Sequence, residues 1–145
     1  LVSAPSGSVW TAPDAALVGG RDVWLLHPWS VICPTSASHA GVLCVGVGLQ
    51  AAHAGQPWSA RRWDFVTQAL QSQAQHLWWT DAPALADALT GARSVRWHPN
   101  PHMDPFMALL KSDVSQSIAP PALFAPVARY CASFSKWWSR THVLD

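Results

Sequence analysis

Residues 23–60 contain no Asp, Glu, Lys or Arg, a run of 38 positions that is closed by Arg61 and Arg62. A surface in contact with water rarely goes so long without a charge, so this stretch must face the chain's own core, a bilayer or another protein. Its centre, Ala40–Ala52 (AGVLCVGVGLQAA), mixes small and aliphatic residues, and no Pro interrupts residues 35–56. A membrane-spanning helix needs about 20 predominantly apolar residues. Ser36, Ser38, His39, Gln50 and His53 lie near the ends of this one. Three readings are open: a single membrane span within 35–56, a buried strand over Val42–Leu49, or a buried helix in which Gly41, Gly46 and Gly48 allow close approach.

At 145 residues the chain is long enough for one domain with its own core, and needs no disulfide or metal to hold it together. Half of its residues are apolar and only 12% are charged, against about 25% in ordinary chains. There are ten Trp and twelve Pro, and every acidic residue is Asp. A net charge of +1 excludes a protein that holds polyanions by bulk charge, so no nucleic-acid partner is expected. Cys33, Cys44 and Cys131 are odd in number and lack paired spacing, which indicates buried free thiols rather than a disulfide framework. The chain begins at Leu1, so a processed or partial polypeptide is expected, and no targeting peptide is read from it.

The periodicities predict a mainly α fold, with an extended N-terminal arm over 1–22 and one mostly helical domain over 23–145. Val23–Cys33 (VWLLHPWSVIC) is broken by Pro28 and reads as an edge strand or loop. Trp63, Val66, Leu70, Ala74, Leu77 and Trp78 follow helical spacing, predicting a helix over Ser59–Thr80 with Ser59 as its cap. Asp81, Pro83 and Gly91 predict the start and stop of a second helix, and the two form a helical hairpin. Two further amphipathic helices are predicted, one from Asp104 to Ile118 and one from about Leu123 to Arg140.

The densest group of potential ligands is His98, His102 and Asp104, in the Pro-framed loop WHPNPHMDP. Imidazole and carboxylate suit zinc or another first-row divalent ion. The alternative role for these residues is a capping Asp104 with two histidines bonded to backbone. Asn100–Pro105 (NPHMDP) resembles, over six residues, a metal-ligand loop of periplasmic metal-binding proteins. No nucleophile elbow, dinucleotide fingerprint or phosphate loop is present.

Trp78-Trp79 and Trp137-Trp138 are adjacent indoles on predicted helices, so one ring of each pair must face away from the core. Together with Trp58 and Trp63 they are candidates for an interface with protein or lipid. The expected function is a non-catalytic structural or accessory subunit of a larger multiprotein assembly. An organellar respiratory or photosynthetic membrane complex is the favoured host. A small metal-dependent enzyme built on the 98–104 loop and a carbohydrate-binding module using Trp79 or Trp138 are the alternatives. No cofactor is expected, apart from zinc on the enzyme reading.

Overall fold

The computed structural model describes residues 5, 9–34 and 41–144. They form one parallel sheet of six strands: β1 (Trp10–Thr11), β2 (Asp22–Leu26), β3 (Leu43–Leu49), β4 (His76–Thr80), β5 (Ser94–Trp97) and β6 (Ser115–Ser117). Their spatial order is β1-β4-β3-β2-β5-β6. The helices are α1 (Gln50–Ala54), α2 (Ala60–Gln71), α3 (Ala82–Leu89), α4 (Asp104–Met107) and α5 (Phe134–Trp138), with 3-10 turns at Ala15–Leu17 and Ala108–Leu110. The fold is therefore α/β, and the expectation of a mainly α chain is overturned.

The uncharged run is explained by the sheet. All seven residues of β3 are buried. A parallel strand covered on both faces reads as a continuous apolar run, without the alternation of a half-exposed strand. Of the three readings of residues 35–56, the strand stands, followed directly by the short helix α1. Residues 35–40 of that window lie outside the described ones. No helix among the described residues is long and apolar enough to cross a membrane, so the predicted span and the membrane association drawn from it are both corrected.

The predicted helices shrink for related reasons. Helix α2 starts at Ser59 as expected, with the Ser59 hydroxyl accepting from the Arg62 N–H, but it ends at Gln71. The apolar residues Leu77 and Trp78 then belong to β4, so the predicted hairpin is two crossover helices with a strand between them. Helix α3 matches its prediction, capped by the Asp81 carboxylate on the Ala84 N–H at 2.8 Å with Pro83 in its first turn. The helix predicted from Asp104 to Ile118 stops after one turn and a 3-10 extension, and β6 replaces its end. The last predicted helix is reduced to α5. Pro28 does stop a strand, yet β2 is central between β3 and β5, not at an edge.

Winding runs from β2 through β3 to β4 on one side, then crosses to β5 and β6 on the other. Right-handed crossovers place the connecting helices on opposite faces. One face packs Val23, Leu25, Val45, Val47, Trp78, Val95 and Trp97 against Leu85 and Leu89 of α3 and against Met103 and Met107. The other packs Trp24, Leu26, Cys44 and Leu77 against Val66 and Leu70 of α2 and against Cys33. Gly48 makes this second layer possible, because a Cβ there would run into the Trp79 ring. In the predicted arm, Trp10 extends the sheet beside β4 and donates its indole N–H to the buried Thr67 hydroxyl at 3.2 Å.

Candidate functional site

In an open parallel sheet the ligand crevice lies beyond the carboxyl ends of the strands, where the winding reverses. Here that point is between β2 and β5, and both strands run into a His-Pro pair, His27-Pro28 and His98-Pro99. The His27 Nε2–H donates to the His98 carbonyl at 2.8 Å, and His27 Nδ1 accepts from the Trp29 N–H at 3.3 Å. These partners fix one neutral tautomer. Burial pushes the imidazole pKa below the usual histidine range, in keeping with that state.

The His98 ring turns back along the sheet and donates Nδ1–H to the Ile118 carbonyl at 2.8 Å. Its Nε2 is thereby left as the acceptor nitrogen. Trp24 meets this ring edge to face, with centroids 5.1 Å apart. Both line a cavity of about 510 Å³ on the α2 side of the sheet, with Asp22, Ser94, Arg96 and Ile118 also in its wall. Arg93 and Ser94 both donate to the Asp22 carboxylate and hold its pKa well below the usual carboxylate range. Arg96 is exposed on the same strand face. The Trp24 indole N–H is buried with no hydrogen-bond partner among the described residues.

A second feature is a column of rings above the ends of β2, β3 and β4. Trp29 is stacked between His53, at 4.9 Å and 11°, and His102, at 5.2 Å and 22°. Trp58, Trp63 and Trp79 surround the other sides of His53, and Trp10 closes the far end against Trp63 and Trp79. The Arg62 guanidinium lies 3.8 Å over Trp58, a cation–π contact. His53 is 3% exposed, and neither ring nitrogen has a hydrogen-bond partner among the described residues. Burial first, and the nearby Arg62 charge second, lower its pKa to about 4.

The residues singled out from sequence are distributed among these features. His98 lies at the cavity, His102 in the ring column, and Asp104 accepts from the Asn100 N–H at 2.9 Å. The three are engaged separately. Among the described residues no group of three or more His, Cys, Asp or Glu is placed to hold a metal ion. Of the candidate interface indoles, Trp78 is fully inside the core, while Trp58, Trp63 and Trp79 belong to the half-buried column. Trp137 and Trp138 cluster with Phe124 and Phe134 in the C-terminal segment, where Trp138 is 52% exposed.

Sequence reasoning passed over Trp24, His27, Trp29, His53 and Arg96. One signal was present: VWLLHP (23–28) and VRWHP (95–99) are two Trp-bearing runs, each starting at Val and ending in His-Pro. Two buried strands stopped by Pro at one end of a sheet would produce that pattern. Compared with known proteins, the chain matches no protein-family model, no curated protein and no solved structure.

Proposed function

We propose that this chain is a non-catalytic subunit that docks onto other protein chains of a larger assembly through its C-terminal segment, residues 119–144. The observation that carries this reading is the position of the apolar side chains there. Leu123, Tyr130 and Phe134 are 73%, 91% and 71% exposed, although Phe124, Phe134, Trp137 and Trp138 are in mutual ring contact. The segment is tied to itself by a short antiparallel bridge, Phe124 with Val143, and by the bond from the Ala125 N–H to the His142 carbonyl. A lone pair of bridged segments is marginal in water. Contiguous exposed aromatic side chains are also characteristic of interface cores.

The test is purification of the protein from its native cell at low salt, with native mass spectrometry. Wild type should run in a complex of fixed stoichiometry. The triple variant Tyr130→Ser, Phe134→Ser, Trp138→Ser should lose the partners while keeping the thermal stability of the sheet body. A monodisperse wild-type monomer would overturn the proposal.

The cavity over the α2 face of β2 and β5, lined from their first residues Asp22 and Ser94 to His98, supports a second reading, a small-ligand-binding domain. An acceptor nitrogen on His98, the Arg96 guanidinium and the Trp24 ring converge there, as the few polar groups of a ligand pocket do. Small carboxylates that stabilise the wild type, but not an Arg96→Ala variant, against heat would favour it.

A further inference from the structure

The loop that follows β2 and the first half of β3 bring two thiols together on the α2 face of the sheet. Cys33 and Cys44 are 8% and 3% exposed, and their Sγ atoms are 2.7 Å apart. Both are free thiols, and their separation is longer than an S–S bond of about 2.05 Å but closer than an ordinary non-bonded contact between two sulfurs. The position of Cys44 is firmly set. Its N–H donates to the Gln75 side-chain oxygen at 2.7 Å, and its carbonyl accepts from the Gln75 N–H at 2.9 Å. Cys33 enters the same apolar layer as Trp24, Leu26, Val66 and Leu70, so both thiols are held on one face of the sheet.

We propose that Cys33 and Cys44 are the site of an internal disulfide, formed by exchange with a low-molecular-weight disulfide such as oxidised glutathione. The count of three cysteines had argued against a framework, but one pair with Cys131 left over satisfies it. In the first step the Cys33 thiolate attacks one sulfur of oxidised glutathione, giving a mixed disulfide and releasing one glutathione thiolate. The Cys44 thiolate then attacks Cys33 Sγ and displaces the second glutathione. The two protons of the protein thiols pass through solvent to the two departing glutathione thiolates, and the two electrons lost by the protein thiols reduce one glutathione disulfide to two thiols. Burial, with the contact from Cys33 second, pushes the Cys44 thiol up to about 12 in the folded chain. The exchange therefore runs while the chain is folding or locally open, and the finished bond is shielded from thiols in solution.

The bond closes the loop between residues 33 and 44 and joins the exit of β2 to the start of β3. The test refolds the full chain in a mixture of reduced and oxidised glutathione, alkylates it in denaturant, and reads intact mass and peptide linkage. The expected product carries one alkyl group, on Cys131, is two hydrogens lighter in its remaining mass, and yields a peptide linking Cys33 to Cys44. Its melting temperature should fall by about 10 °C on reduction in denaturant and refolding without oxidant. The Cys131→Ser variant should show the same fall, and the double variant Cys33→Ala, Cys44→Ala none. Three alkylated thiols at equilibrium with oxidised glutathione, or a linkage through Cys131, would overturn the proposal.

Discussion

His27 and His98 end neighbouring central strands, and the ring of the first donates to the backbone carbonyl of the second at 2.8 Å. This bond fastens the loop leaving β2 to the loop leaving β5 at the point where the sheet reverses its winding. It also leaves the His98 ring free to bond with Ile118 and face the cavity.

Removing that fastening should be costly. His27→Ala deletes a buried ring and strands the His98 carbonyl and the Trp29 N–H, so urea unfolding should show a loss of about 2–4 kcal/mol. His27→Gln, whose amide can still donate, should recover part of the loss. Equal stability of His27→Ala and wild type would show that the bond contributes nothing.

Stability should fall on mild acidification. His53 stays neutral in the fold down to a pKa of about 4, whereas the unfolded chain takes up its proton near the ordinary histidine value of 6.5. His27 is shifted in the same direction. Between the two His53 values the unfolded state binds more protons, so His53 costs up to about 1.4 kcal/mol per pH unit there. The stability is fully present above pH 6.5 and is lost as the pH falls toward 4. Urea midpoints at pH 7, 6 and 5 measure it, and His53→Phe should flatten the slope.

Gly48 has no room for a side chain. Gly48→Ala would drive a methyl group into Cε3 and Cζ3 of the Trp79 ring, and because that ring is held by Trp10 and Trp63 it cannot simply swing away. Thermal unfolding should show a loss of about 1–3 kcal/mol, together with a change in tryptophan fluorescence. An unchanged melting temperature and spectrum would mean that the column is looser than its geometry implies.

The Trp10 indole is held by one hydroxyl. Thr67→Val keeps the shape of the side chain but leaves the buried N–H of Trp10 unpaired, at a cost of about 1–2 kcal/mol. Hydrogen exchange should quicken at Trp10 and Thr11 before it does in β3. Uniform exchange across the sheet would contradict the proposed anchoring.

Caps were the most legible part of the fold. Ser59 and Asp81 both cap the helices they were expected to start, because a capping side chain acts on amides only two or three residues away. Strands were hidden by the same residues that build them. Leu77 and Trp78 continue the helical spacing of Trp63, Val66 and Leu70, and only the break after Gln71 returns them to the sheet. In Leu43–Leu49 the glycines at 46 and 48 weaken any strand signal, and their purpose shows only when Leu77 and Trp79 are seen beside them. Of the site, His98 and His102 were chosen for a shared metal-binding chemistry, while their placement follows from different neighbours, Ile118 and Trp29. Such long-range pairings are set by strand order, which local periodicity does not encode.

The outermost strands are the shortest, two residues in β1 and three in β6. Open backbone at a sheet margin is the template on which copies of a chain zip into fibrils. With so little length at either margin, a chain this rich in tryptophan offers almost no ladder for runaway stacking.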